Sequence, residues 1–420
     1  MSRHAIVVFL TFSLLLYVAT PAFAGGIYLT EIGTPISVGT AGVANVTNTV
    51  SADSVFTNPA GMTGIDGGQV IGGSQVVVPT IRFDSEIATA GGSDGGNAAS
   101  IVAIPSLFAV KALNEDWRVG LGISAPLGGG VNYHKDFVGR YQAQKSELAV
   151  IGISPAVAYR INDKFSLGAG VTFSYTSMNL HLAVNQPGPM STDGQIKMDE
   201  LDDWAYQGFV GATYKATDRL TFGAVYRSEA DVELEGDIKF YNVTVPPLNQ
   251  LTSKFDKAEI DFSYPQLIQV GVKYKLTDDT FLMADFDWED WSAFGETGIG
   301  LSGDGSALQS FDRDWDDTFH FGVAVAHHLS EDQAVTAGIG YDTSPVSDSK
   351  RTADLPADEQ LRLSAAYGKR LSDQLGFALG GTFLWLGEGK MDQTVQGERF
   401  KGEFSTNHII FLSATMNYAF

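Results

Sequence analysis

The chain has 420 residues, 44% of them hydrophobic, with 47 glycines, no cysteine and a formal net charge of -22. The missing cysteines exclude disulfides, thiol catalysis and thiolate metal sites, and the acidic balance argues against nucleic acid, whose phosphates demand a basic face. Beyond the N-terminus no stretch reaches the roughly 18 apolar residues a spanning helix needs, so a membrane-inserted form must be a closed sheet, whose alternation leaves mean hydropathy unremarkable.

Met1 to Ala24 reads as a secretory signal peptide. Arg3 and His4 give a basic start, Ala5 to Val18 a short apolar core, and Ala22-Phe23-Ala24 a small-x-small cleavage site, so the mature chain is expected to begin at Gly25. A membrane anchor is the competing reading, and the short apolar core counts against it.

Gly25 to Ile65 differs in character: it is rich in Gly, Thr, Ser, Ala and Asn and has no long apolar stripe. It reads as a compact plug or a tail. From residue 66 onward the chain repeats one phrase of alternating residues, tight polar turn, alternating residues and long polar loop. The tight turns are expected at Asn114-Glu115-Asp116, Asn162-Asp163, Thr217-Asp218, Thr277-Asp278-Asp279, Ser330-Glu331-Asp332 and Ser372-Asp373, where Asn, Asp and Ser side chains bond nearby backbone. The longer segments run near 84–98, 127–145, 181–202, 236–257, 290–312, 343–358 and 389–402. Six short and seven long connections make an all-β, transmembrane antiparallel β-barrel of about 14 strands. A barrel of this size encloses a lumen wide enough to need filling.

Alternation predicts which face meets lipid. Phe222 and Tyr226, Ile268, Val270 and Tyr274, and Leu379 and Phe383 lie in phase within their strands. The last strand carries Ile410, Leu412, Ala414, Met416, Tyr418 and Phe420 on one face, and the chain ends on that Phe. This resembles the C-terminal aromatic signal read by the barrel-assembly machinery.

Asn58-Pro59-Ala60 sits just before the first strand. Further along come Gly120-Leu121-Gly122-Ile123-Ser124-Ala125-Pro126, Gly139-Arg140-Tyr141, Ser154-Pro155-Ala156-Val157-Ala158-Tyr159-Arg160, the Trp288-Glu289-Asp290-Trp291-Ser292 run and Tyr341-Asp342-Thr343-Ser344-Pro345-Val346. With these, nearly the whole mature chain resembles the FadL-type hydrophobic-compound transporters. The resemblance implies that residues 25–65 form a hatch carrying the Asn58, Pro59, Ala60 signature. It implies capture of a long-chain fatty acid or hydrocarbon by outer loops, an internal apolar site beside the hatch, and lateral exit at a kink in the third strand. Gly120, Gly122 and Pro126 are the residues expected to make that kink, since Gly and Pro weaken a ladder; they equally suit a strand end. The partners implied are the hydrophobic ligand, outer-membrane lipid and lipopolysaccharide, and the assembly machinery, for a monomeric barrel without a cofactor.

Met190 and Leu248 belong to unusually apolar loops, which suit ligand capture or a packed cap. Arg140, Arg227, Lys273 and Lys275 are candidate anchors for a carboxylate, by phase or position. Tyr175 to Leu180, where fatty-acid transporters carry basic residues, has none, which tilts the reading toward a neutral hydrocarbon. Gly91-Gly92-Ser93-Asp94-Gly95 spells a nucleophile elbow, but in a Gly-rich loop instead of a strand-to-helix turn, and no catalytic residue is expected. The acidic runs at 199–203 and 312–317 lack EF-hand spacing. A general diffusion porin and a structural or adhesive surface barrel are the competing functions.

Overall fold

The computed structural model describes residues 30–186, 192–246, 248–251, 255–294, 296–301 and 307–420. The expected signal peptide and Met190 lie outside them. The strands close into one antiparallel barrel of 14. In chain order these are β1 (Gly68–Ala88), β2 (Val102–Ala112), β3 (Trp117–Ser124, resumed at Gly128–Asn132), β4 (Lys145–Arg160) and β5 (Phe165–Val184). Next come β6 (Gly194–Lys215), β7 (Leu220–Arg227, resumed at Ala230–Tyr241), β8 (Lys257–Tyr264, resumed at Leu267–Lys275) and β9 (Thr280–Glu289, extended by Glu296–Leu301). The circuit ends with β10 (Thr318–Ser330, preceded by Ala307–Asp312), β11 (Gln333–Asp342), β12 (Gln360–Arg370), β13 (Leu375–Trp385) and β14 (Glu398–Ala419). β1 pairs with both β2 and β14, which closes the ring.

The six tight turns fall where Asn, Asp, Thr and Ser were expected to make them. The Asn114 side-chain oxygen accepts from the amides of Asp116 and Trp117, both at 2.9 Å. Asn162 does the same for Lys164 and Phe165 at 2.9 and 3.0 Å. On the opposite rim the strands run further than expected. Much of the 181–202 loop is ladder, since β5 continues to Val184 and β6 starts at Gly194. The 236–257 and 389–402 loops also shrink, to 242–256 and 386–397 with the Met391–Val395 hairpin strand inside the latter. The reason is length. At about 3.4 Å per residue, a strand of 22 residues such as β6 outruns a roughly 30 Å hydrocarbon core even when steeply tilted. Above the bilayer neither face must be apolar, so the alternation that marks a strand fades while the ladder continues.

The apolar faces point outward. Leu412 and Met416 are each 53% exposed while their neighbour Phe411 is fully buried. Phe222, Tyr226, Val270, Leu379 and Phe383 are exposed in the same phase. The terminal Phe420 exchanges both backbone hydrogen bonds with Gly68, at 2.7 and 2.9 Å, and its ring lies under the Lys111 ammonium. The C-terminal residue therefore helps seal the seam between the first and last strands.

Residues 30–65 lie inside the ring, most of them buried. They fold as helix α1 (Pro35–Gly39), helix α2 (Ser54–Thr57) and a 3-10 turn (Pro59–Gly64). Val55, Phe56, Met62 and Ile65 form a small apolar core with Phe108, Val110 and Phe209 of the wall. The short apolar residues that make no stripe in sequence thus converge in space.

Candidate functional site

The interior segment is held to the wall by polar groups and by the absence of side chains. Asn58 caps the 3-10 turn by accepting from the Ala60 amide at 3.2 Å. Its amide nitrogen donates to the Val46 carbonyl at 2.7 Å and to the Ala212 carbonyl of β6 at 3.1 Å. One side chain thereby joins two parts of the segment and the wall. The close approach requires glycine. A Cβ on Gly211 would lie 2.1 Å from the Asn58 oxygen, one on Gly168 2.5 Å from the Ala60 amide nitrogen, and one on Gly223 2.0 Å from the Val46 carbonyl oxygen. Asp53 adds an internal hub, accepting from Thr34 and from Asn48 at 2.6 Å.

Two of the candidate cations belong to this seat. Arg227 donates to Thr172 at 2.9 Å and to the Phe56 carbonyl at 3.1 Å, with its guanidinium over the rings of Phe56 and Phe209. Lys273 reaches the Thr47 carbonyl at 3.3 Å and the Thr49 hydroxyl at 3.4 Å. Lys275 instead pairs with Asp278 in a tight turn. Sequence reading missed a third tie, Arg362 of β12 to Glu31 at 3.4 Å. Its signal was available: Arg362 is out of phase with the exposed Leu363, so it must point inward.

The third strand is interrupted, but not where the glycines are. Gly120 and Gly122 sit in regular ladder, opposite Val110 and Phe108 of β2 and Ala156 and Ser154 of β4. Cβ atoms there would meet Val55 and Met62, or Phe108 and Val55. These two residues make room for the hatch-like segment and do not bend the strand. The break comes at Ala125-Pro126. Ser124 pairs with Gly152 and Gly128 with Ala149, so β3 spends four steps against three on β4. β2–β3 pairing ends at Leu107 and Ile123, while Val102–Ser106 stay paired only with β1 among the described residues. Proline lacks the amide that would continue the ladder.

On the rim with the long connections lies a cavity of about 490 Å³. Its lining is mixed, with apolar Leu182, Val184, Met198 and Leu248 and polar Gln142, Lys350 and Gln396. Leu248, one of the candidate ligand contacts, lines this cavity, and Arg140 does not. It donates to Asp193 at 2.6 Å, to the carbonyls of Gly91, Phe137 and Ala90, and to Tyr141. Its donors are spent stapling loops together. Burial by itself would lower its pKa, but Asp193 and Tyr141 outweigh that and raise it, so the guanidinium stays charged.

A second staple lies under the same cap. Arg313 and Asp354 pair at 2.7 Å with both side chains almost fully buried, and Arg313 also receives the Phe294 ring beneath it. Burial would raise the Asp354 pKa, yet the charge and hydrogen bonds of Arg313 together with Thr352 hold it below its ordinary 3.8. The folded pKa is depressed, so this stabilisation is complete above 3.8 and is lost as pH falls through the lower folded value. Asp354→Asn leaves a buried guanidinium without its counter-charge, at a cost of about 3–5 kcal/mol. Limited proteolysis at neutral pH should then cut residues 343–359 faster than in the parent, with the barrel intact; equal rates would show the cap does not depend on the pair.

The family described as "Outer membrane protein transport protein (OMPP1/FadL/TodX)" matches residues 15–420. The long-chain fatty acid transport protein of Escherichia coli O6:H1 is 22% identical, with 96% of each chain covered. A Pseudomonas aeruginosa FadL homologue superposes with a TM-score of 0.85 at 20% identity, covering 94% of this chain and all of the other. The Ralstonia pickettii toluene transporter TbuX gives 0.69 at 19% identity, covering 93% and 99%.

Proposed function

The chain belongs to the OMPP1/FadL/TodX family of outer-membrane transport proteins, and from that premise we propose that it takes up hydrophobic small molecules by a route that enters at the outer cavity and leaves sideways through the wall. Residues 30–65 act as the hatch. The observation that carries this reading is a pairing of opposites: residues 30–65 lie mostly buried inside the ring, while the β3–β4 ladder shifts register at Ala125-Pro126. A solute arriving from outside meets the hatch ahead of it and a gap beside it. The gap opens into lipid, where an apolar solute is at least as stable as in a protein pocket. Each buried CH₂ contributes about 0.8 kcal/mol, so capture needs apolar contact more than polar contact.

The cavity's mixed lining supports a long-chain amphiphile, with the tail against Leu182, Met198 and Leu248 and the polar end toward Gln142 and Gln396. Displacement of a fluorescent fatty-acid probe from the detergent-purified barrel tests this. A long-chain fatty acid is expected to compete better than the alkane of equal length, and Leu248→Asp to weaken binding about tenfold or more, equivalent to roughly 1.4 kcal/mol. Equal competition by the alkane would reassign the substrate to neutral hydrocarbons. Steady ionic conductance by the intact protein in planar bilayers would overturn the transporter reading in favour of a diffusion porin.

A further inference from the structure

The inner face of β9 to β11 carries charges that the transport route does not use. Period-two geometry puts Asp285, Asp287 and Glu289 on one face of β9. Register then sets His320 of β10 directly opposite Asp287 on one side and Asp342 of β11 on the other. The His320 Nδ1 lies 2.9 Å from the Asp342 carboxylate, and Asp342 also pairs with Arg362. With Nδ1 turned to Asp342, Nε2 faces β9. There it meets Asp285 Oδ1 at 3.6 Å, too long for a hydrogen bond.

Three atoms at this point have no hydrogen-bond partner although all are buried: Asp285 Oδ1, Asp287 Oδ1 and His320 Nε2. Asp287 is 1% exposed, and its other oxygen is occupied by Gln269 at 2.7 Å. One ligand atom from each of the three residues falls within 4.8 Å of the others. Ligand atoms bound tetrahedrally to zinc at about 2.0–2.2 Å stand roughly 3.3–3.6 Å apart, so modest closure brings the three onto one ion. The space is kept open by Gly322, where a Cβ would lie 2.3 Å from Asp285 Oδ1 and 3.0 Å from His320 Nε2.

Charge points the same way. The carboxylates of Asp285, Asp287, Glu289, Asp342 and Glu31 gather about one guanidinium, Arg362, and one imidazole. Buried carboxylates without compensation are costly, so protons or a cation must balance them. Three unpartnered donor atoms converging on one point, with a carboxylate behind the imidazole fixing its tautomer, is the arrangement of a metal-ligating histidine. We propose that Asp285, Asp287 and His320 Nε2 bind a divalent transition-metal ion, zinc by ligand type, with Asp342 orienting the imidazole. The ion cross-links β9 to β10 directly beneath Val43, whose side chain approaches the Gly322 position.

The test uses the full-length barrel in detergent, stripped with a chelator and dialysed against zinc, with bound metal counted by elemental mass spectrometry. One equivalent is expected in the parent and none in Asp287→Asn or His320→Gln, with Asp342→Asn weakening zinc binding about 10–100-fold. Heat-modifiable gel mobility reports folding. Cobalt added to the stripped parent supplies a readout independent of the variants: an intensified visible band, abolished by zinc. A parent that binds no stoichiometric zinc and gives no such band overturns the proposal, and so does full zinc occupancy in folded Asp287→Asn; the carboxylates would then be neutralised by protons.

Discussion

Replacing Gly211 and Gly223 by valine is expected to open the lumen of an otherwise intact barrel. Both glycines face inward in regular ladder, and their outward neighbours Val210 and Phe222 would be untouched. The new side chains would occupy space held by the Asn58 oxygen and the Val46 carbonyl, at 2.1 and 2.0 Å from an ideal Cβ. Neither atom can yield by a simple rotamer change, because Asn58 bonds Val46, Ala60 and Ala212 at once. Overpacking of this kind costs about 1–3 kcal/mol per site. Applied to the equilibrium between a seated and an unseated hatch, one site shifts the population on the order of 5- to 150-fold. Planar-bilayer conductance and sensitivity of cells to bulky hydrophilic antibiotics should both rise by at least tenfold. Native-level conductance from the folded double variant would mean that residues 30–65 do not seal the lumen by contact with these strands.

Deleting Pro126 is expected to close the wall. The break exists because β3 spends four steps where β4 spends three. Removing one residue equalises the count, and removing this one also restores an amide donor to every position. The ladder can then run past Ile123, and Val102–Ser106 of β2, paired only with β1 among the described residues, gain a partner in β3. Each hydrogen bond gained stabilises the fold by about 0.5–1.5 kcal/mol, so the variant should fold at least as well as its parent. Uptake of hydrophobic substrate should fall tenfold or more while probe binding at the outer cavity is unchanged. Pro126→Ala is the matched control: it keeps the extra residue and should retain most uptake. Unchanged uptake after the deletion would remove lateral exit from the mechanism. The earlier expectation that Gly122 makes the kink leads to a different result, since a bulky residue there would strike Phe108 and Val55 of the apolar core and disturb the hatch instead of the strand.

What the linear chain determined was everything carried by local periodicity and turn chemistry. Alternation placed Phe222, Leu379 and Leu412 toward lipid because side-chain direction in a strand depends only on parity. Asn114 and Asn162 announced their turns because each bonds amides two and three residues on. The strand count followed, and with it the need for a plug. Contacts set by which strands become neighbours were not legible. The outer cavity draws on Leu182 at the end of β5 and on Leu248, Lys350 and Gln396 from three connections, which meet only when the barrel closes. Arg140 and Arg227 read alike as inward or loop cations, yet one is consumed by Asp193 and loop carbonyls and the other stacks on Phe56 and Phe209. His320 meets Asp287 and Asp342 only through the register of three strands. Tertiary structure decided these points because they depend on distances across the barrel, and no pattern within a single strand encodes such a distance.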